Sequence, residues 1–448
     1  MSPADPLAGL AFVTEATARE RSRDLEEPDW LLDQRLDGAR RFGALPVEIN
    51  PLFTLYQDYR RVRFAELTPY PEVGDAAHPD HSLPAGAAAF LHVRDDRVVA
   101  RALSPEAAAA GLVLDTFRNV QRDRSALLRA ALDAAPVLPE TDKFAQLARA
   151  ASAVGVLVHV PAGLELNGPI VVRWSVGQDG RALLSRTVVV LERRARATLL
   201  EEQRAVEAGP PGGRQGLWAG TLEVALGEGS ALDVAAEQDF GPDTISVVNR
   251  QSSVGEGATL RWALAHVGGL LARSRVDNWL LGRGATVQQV EIGFGGADQV
   301  FDLTSYTHHV GRDSTGDLLS KGVFQDRARG FFKGLIEIQR PAVGTDSFLG
   351  EFAMLLDRKA RSVAIPSLEI DQPDVRRASH SSSVGPIDEA QLFYLESRGL
   401  PPDLARKFVV LGFLEPVVAR IPLPEAQDRL RELLDHKWHG GRERADAA

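Results

Sequence analysis

Gly227-Glu228-Gly229-Ser230, Gly255-Glu256-Gly257-Ala258 and Gly282-Arg283-Gly284-Ala285 are three copies of one turn. Gly229 and Gly257 are 28 residues apart, and Gly257 and Gly284 are 27 apart. Between the turns lie short alternating runs. Leu222-Glu223-Val224-Ala225-Leu226 puts its leucines and valine on one face, and Leu260-Arg261-Trp262-Ala263-Leu264 alternates in the same way. Strand, glycine turn and strand at a near-constant period predict a solenoid, whose coils pair in parallel and bury a continuous apolar column. Glycine suits such turns because it permits positive φ and close stacking of coils. A parallel β-helix fits this period best. A β-propeller is the second reading, but its blades usually need ~40–50 residues.

Upstream, Arg194-Ala195-Arg196-Ala197-Thr198-Leu199 is read as a degenerate copy, with Arg196 aligned to Gly229. Gly209-Pro210-Pro211-Gly212-Gly213 would be an insertion that stretches this step. The solenoid is expected over residues 152–385. Residues 1–151 read as a mostly helical domain. Pro28 opens a helix from Asp29 through Phe42, stopped by Gly43 and Pro46. The Pro- and Gly-containing stretch Thr68–Gly86 reads as an irregular connection. Phe90–Val93, a turn at Arg94-Asp95-Asp96 and Val98-Val99 read as a hairpin. Two or three helical stretches follow, the last from Thr141 to Ala151.

Helices return over residues 386–440. Pro386 would begin one that Gly399 caps, with Ile387, Gln391, Tyr394 and Leu395 on one face. Pro402 would begin a second, with Leu404, Phe408 and Leu411 as its stripe and Pro416 kinking or ending it. A third would run from Pro424 to Trp438, with Leu430, Leu433 and Leu434 apolar. Residues 441–448 read as a disordered tail.

Composition excludes several functions. The 448 residues carry a net charge of −10 and no Lys/Arg-rich stripe, which argues against nucleic acid as a partner. Arg193, Arg194 and Arg196 beside Glu192, Glu201 and Glu202 read as a solvated turn. No apolar stretch reaches the ~18 residues of a membrane span, and the N-terminus lacks a signal-peptide pattern. A cytoplasmic protein is expected. With no cysteine, the chain has no disulfide, no thiolate catalysis and no Cys-ligated cluster of its own.

Motif searches return little. The G-x-G-A turns lack the further glycine of a dinucleotide fingerprint, and no P-loop, H-E-x-x-H or G-x-S-x-G occurs. Adjacent His308 and His309 would face opposite ways on a strand, so a structural role is preferred to metal binding. Glu369, Asp371 and Asp374 could form a carboxylate site of a polysaccharide-active β-helix, on a strand leaving the solenoid. His380 sits in Ala378-Ser379-His380-Ser381-Ser382-Ser383-Val384-Gly385, read as a small polar loop; taken alone, it is an ordinary solvated histidine.

Several segments in order resemble the SufB/SufD family of iron–sulfur cluster assembly proteins. They are Glu27-Pro28-Asp29-Trp30-Leu31-Leu32 with Arg35, Lys143-Phe144-Ala145-Gln146-Leu147, Val158–Gly163, Pro169-Ile170 and Arg186–Glu192. The C-terminal third adds Arg340–Phe348, Ile365–Ile370, Asp374-Val375, Ser379-His380, Val384-Gly385, Ile387-Asp388, Gln391–Leu395 and Ser397-Arg398-Gly399. The resemblance spans roughly residues 25–435 and is nearest to the SufD member. It implies a right-handed parallel β-helix with helical ends and no enzymatic role. It implies pairing with a SufB-like paralogue through the β-helix cores, and docking of a SufC-like ATPase on the C-terminal helices, with Phe393, Tyr394 and Arg398 as candidate contacts. Any iron–sulfur cluster would be transient and shared with the partner, with His380 as this chain's interface ligand and none bound stably by this chain alone. The family's usual cysteine two residues earlier is Ala378 here, and its Gly-Ala-Thr is Ser381-Ser382-Ser383. Outside the family, the alternatives are a polysaccharide-active β-helix enzyme and a self-associating structural solenoid.

Overall fold

A computed structural model describes residues 5–70, 74–136, 139–177, 180–206, 213–421 and 424–445. In chain order, the N-terminal part holds α1 (Glu15–Asp24), α2 (Asp29–Ala44), β1 (Thr68–Pro69), β2 (Gly74–Asp80), β3 (Ala89–Arg94), β4 (Arg97–Leu103), α3 (Pro105–Ala109), β5 (Val113–Thr116), α4 (Phe117–Ala134) and α5 (Lys143–Ala151). The expected helix at Pro28 is present, with Pro28 as its N-cap, but it continues through Gly43 to Ala44. The hairpin β3–β4 is antiparallel, as expected. Three strands go beyond the sequence reading. The stretch 68–86 contains strands β1 and β2, and β5 pairs antiparallel with the first solenoid strand. β2 is the outermost strand of its sheet, where Pro79 leaves no interior ladder donor missing.

From Val154 the chain winds into the expected parallel solenoid. One sheet stacks β6 (Val154–Val160), β8 (Arg181–Leu191), β10 (Gly216–Leu226), β12 (Thr244–Val254), β14 (Leu271–Leu280), β16 (Val300–His309), β18 (Arg329–Ile338) and β20 (Arg361–Ile370). The other stacks β7 (Ile170–Val176), β9 (Arg196–Ala205), β11 (Ala231–Asp239), β13 (Thr259–His266), β15 (Thr286–Gly295), β17 (Thr315–Phe324), β19 (Asp346–Leu355) and β21 (Arg377–Pro386). Every coil-to-coil pairing is parallel and without a register shift.

The two glycines of each turn do different jobs. The second has positive φ: Gly229 at 65°, Gly257 at 61° and Gly284 at 68°. Its N–H bonds the corresponding turn of the next coil, Gly229 to Glu256 O at 2.8 Å and Gly257 to Arg283 O at 2.9 Å. The first glycine makes room. A Cβ on Gly282 would lie 2.0 Å from Glu256 N, and one on Gly255 would lie 2.6 Å from Leu226 O. Arg194, Asp313 and Gly344 hold the positive-φ position in other coils, so the repeat extends beyond its glycine signature. The register aligns Arg196 with Ala231, and hence Arg194 with Gly229, which corrects the upstream alignment by two residues. Of the expected insertion, only Gly213 lies within the described residues.

Inside, the coils are apolar at one turn and polar along the middle. Trp218, Val234, Leu260 and Val287 belong to the main core. Beside them runs a buried polar chain. Arg250 donates to Glu201 at 2.6 Å. His266 Nε2 bonds Glu291 at 3.0 Å, and Ser305 Oγ lies 3.4 Å from the other oxygen of Glu291. Gln289 donates to Ser305, and Trp262 Nε1 donates to Asn278 at 2.9 Å. Glu351 lies further along the same row as Glu291 and Ser320. Burial, with a smaller addition from the Glu291 charge, pushes its carboxyl up to about 8 against an opposing backbone hydrogen bond from Ile365.

The N-terminal helices cover the outer face of the first sheet. Leu36, Phe42, Phe144 and Leu147 pack on Ala182, Leu217, Ile245 and Leu271. Buried ion pairs fix their position. Within the sheet, Arg186 grips Glu223 through two bonds, at 2.7 and 2.8 Å, and from there it donates to Gln34 of α2 at 2.7 Å. Asp142 caps α5 through Ala145 N–H and also receives Arg273 at 2.5 Å and Arg275 at 3.2 Å. Burial alone would raise the Asp142 carboxyl, but the two guanidiniums outweigh it and hold the group at about 2.

Two measurements follow from the coil geometry. Gly282→Ala should destabilise by about 2–4 kcal/mol, because its Cβ meets backbone that cannot yield. Gly284→Asn should change stability by less than about 1 kcal/mol, since Asn tolerates its φ. Equal shifts in the urea midpoint for the two variants would contradict this division of labour. Glu351 provides a pH test. Its unfolded value is about 4.3, so between there and about 8 the unfolded chain releases a proton that the folded chain retains. Stability therefore falls as pH rises through that window and levels off above it. Glu351→Gln should gain on wild type between pH 5 and pH 9, read from urea titrations; a constant difference would refute the buried protonated acid.

Candidate functional site

The solenoid ends abruptly. β20 and β21 are the last strands of their sheets, and among the described residues no further strand pairs with either. Both are ten residues long, unbulged, and carry unsatisfied ladder groups along one side. Rows that are fully buried one coil earlier emerge here. Leu318 and Leu349 are 0% exposed, and the next residue in that row is the exposed His380. Ser382 follows Glu351 in the neighbouring row, and Val384 follows Ala353. The segment expected to be a polar loop is thus strand β21, with His380 projecting from a lumen-facing row at the open end. Small neighbours suit this place: Ala378, Ser381, Ser382 and Ser383 leave the imidazole uncovered.

Glu369, Asp371 and Asp374 are all exposed at the end of the last coil. Glu369 stands on β20, paired in register with Glu337, and β20 remains part of the last coil rather than leaving it. Asp371 and Asp374 lie beyond its end. Among the described residues, no group of three or more His, Asp and Glu side chains could hold a metal ion. His308 and His309 face opposite ways, as expected. His309 points into the core between Ser314 Oγ at 2.8 Å and Ser347 Oγ at 3.0 Å, and burial lowers it to about 4. His308 points outward, stacks on Trp279 at 4.0 Å and bonds Glu337.

The C-terminal helices sit on the second sheet. They are α6 (Glu389–Ser397), α7 (Pro402–Val418) and α8 (Pro424–Ala445). α6 starts later than expected because Pro386 ends β21 and Asp388 is the N-cap. Gly399, at φ 93°, closes it. Pro416 lies within α7, which continues to Val418. α8 passes Gly440, where a tail was expected, and reaches Ala445; residues 446–448 lie outside the described residues. Val410, Leu414, Val417, Leu430, Leu434 and Trp438 pack on Val290, Ile292 and Phe294. Arg429 adds ion pairs to Glu202 at 2.5 Å and Glu237 at 2.7 Å.

Of the stripe Leu404, Phe408 and Leu411 expected on α7, Leu411 packs partly against the core, but Leu404 and Phe408 face solvent. α6 buries none of its residues. Phe393 is 74% exposed, Tyr394 56%, Phe408 56% and Leu404 42%. Between α6 and α7 lies an open groove of about 590 Å³ lined by Tyr394, Leu395, Leu400, Phe408 and Val409. Arg398 stays on α6, with its guanidinium 5.2 Å from the Tyr394 ring. Two large aromatic side chains on a helix with no buried face form an unpartnered apolar surface of the kind that marks an interaction site.

Comparison with known proteins agrees with this architecture. The family model described as "SUF system FeS cluster assembly, SufBD core domain" matches residues 174–413. An iron–sulfur cluster assembly SufBD family protein of Staphylococcus haemolyticus is 24% identical over 440 aligned residues, covering 94% of this chain and 92% of the relative. The iron–sulfur cluster assembly protein SufB of Bacillus subtilis is 24% identical over 438, with the same coverage. No helix among the described residues is long and apolar enough to cross a membrane. With its solenoid, its open last coil and more than half its length matched, the chain belongs to the SufBD family of SUF-system iron–sulfur cluster assembly proteins.

Proposed function

We propose that this chain is a non-catalytic scaffold subunit of a cytoplasmic SUF assembly complex, in the role of SufD. The observation that carries this reading is the open last coil with His380 on its lumen-facing row, in a chain without cysteine. An exposed cross-section of a solenoid core is the natural seat for a second solenoid, whose edge strands and apolar rows would complete it. A SufB-like paralogue is the proposed partner there. The cluster is cargo, held transiently at the junction. His380 would contribute one neutral imidazole, and the partner would contribute the thiolates that this chain lacks. The exposed aromatic face of α6 and α7 would receive a SufC-like ATPase. α7 and α8 are bolted to the second sheet by apolar packing and by Arg429, so movement of the ATPase would reach the solenoid directly.

Two experiments test the two surfaces separately. His380→Ala should leave the melting temperature and co-purification of the paralogue unchanged while lowering cluster assembly in cells several-fold; undiminished assembly would remove His380 from the mechanism. Phe393→Ser combined with Tyr394→Ser should abolish recovery of the ATPase with this chain and leave the paralogue bound. Because both side chains are exposed, stability should change by less than about 1 kcal/mol. Full ATPase recovery would exclude this face, and isolation of symmetric oligomers with neither partner would favour the self-associating solenoid.

A further inference from the structure

We propose that the cavity between the N-terminal helices and the first sheet binds a small organic oxyanion, a phosphate or a carboxylate carried on a partly apolar body. The cavity holds about 530 Å³, within the ~300–1,000 Å³ usual for small-molecule sites. Its walls come from the start of α2, the first half of α4, the junction of α5 with β6, and Arg186 of β8. It lies far along the chain fold from the open last coil, on the opposite sheet from the C-terminal helices.

Three guanidiniums, Arg35, Arg149 and Arg186, line it. Arg35 is engaged by Glu27 through two bonds of 2.6 Å. Arg186 is held by Glu223 and by Gln34 at 2.7 Å. Neither Glu223 nor Asp37 lines the cavity; these carboxylates anchor their arginines from outside it. Arg149 is the least compensated. It has one bond to Asp37, at 2.5 Å, and Asp37 is shared with Arg41 at 3.0 Å. Burial and the neighbouring Arg186 charge both weaken its hold on its proton, while Asp37 opposes them. A guanidinium in this position has fork geometry to spare for a bidentate oxyanion. Arg118 and Arg122 also line the cavity, so five guanidiniums stand against the three carboxylates of its lining, Glu26, Glu27 and Asp75.

A further feature is the shape of the helix that forms one wall. α4 breaks helical geometry at Arg124 (φ −146°, ψ 51°) with no proline present. Gln121 and Arg122 before the break and Leu128 after it both face the cavity, so the bend wraps the helix around the space. Leu31, Phe117 and Leu128 supply the apolar wall. The ligand therefore carries an oxyanion for Arg149 and some apolar surface for Leu31, Phe117 and Leu128.

Isothermal titration of the purified full chain with sodium pyrophosphate and, separately, with citrate tests this, at constant ionic strength with chloride as the balancing anion. Saturable one-site binding of at least one probe is expected. Pyrophosphate alone would assign a phosphate, citrate alone a carboxylate, and both a general oxyanion site. Arg149→Gln should weaken binding about tenfold or more. Because that change also breaks the Asp37 pair, the exposed rim variant Arg122→Gln is measured beside it, and the melting temperature of each is recorded without ligand. Arg122→Gln should weaken binding by a smaller factor in a fully folded protein. No saturable binding of either probe up to about 10 mM, or identical affinities in wild type and both variants, would overturn the proposal.

Discussion

The in-register parallel stacking of one coil on the next is the constraint on which the rest of this molecule depends. Parallel pairing places each residue directly over its counterpart in the neighbouring coil, so one misfit is felt by two neighbours. The turns must therefore be narrow and geometrically alike. Gly255 and Gly282 provide the close approach, and Gly229, Gly257 and Gly284 provide the left-handed backbone that aims an N–H at the next turn. Asp313 and Arg194 show that the conformation, not the glycine, is what each coil requires. Asp and Asn accept this region more readily than most residues do; for Arg194, the bond to Glu228 O at 2.8 Å accompanies it.

Stacking also creates ends, and the two ends are treated differently. At the first, β5 crosses antiparallel to β6, and the β3–β4 hairpin extends the other sheet, so the core rows are covered. At the last, β20 and β21 present whole rows of the interior to the outside. Long, unprotected edge strands are a liability for a solitary protein. In a protein of an iron–sulfur cluster assembly family, the same exposure fits the companion surface proposed above.

The two flanks of the solenoid are held by different physics. Ion pairs that are almost wholly desolvated join the N-terminal helices to the first sheet, with Asp142 serving both as helix cap and as partner to Arg273 and Arg275. Such pairs fix geometry more than they add stability, because desolvation offsets much of the attraction. The C-terminal helices attach mainly by apolar packing and turn Phe393, Tyr394 and Phe408 outward. One flank is rigidly positioned around a cavity, and the other presents an exposed face.

The sequence alone determined the solenoid, because a repeating turn at a near-constant spacing admits few other structures, and the lack of cysteine fixed what chemistry this chain cannot supply. It also located the hairpin and the C-terminal helices, whose signals are local. Their orientation was not local. Whether Phe393 and Phe408 pack inward or face outward depends on which side of the helix pair meets the second sheet, and Val410, Leu414 and Val417 won that contact. His380 read as a loop residue because a serine-rich run has weak strand propensity; pairing with β19 overrode it. The buried chain from Glu201 to Glu291 gave no sequence signal, since its members are scattered over β9 and β12 to β16. Only the winding of the chain brings them into line, because register, unlike turn chemistry, is decided by all the coils together.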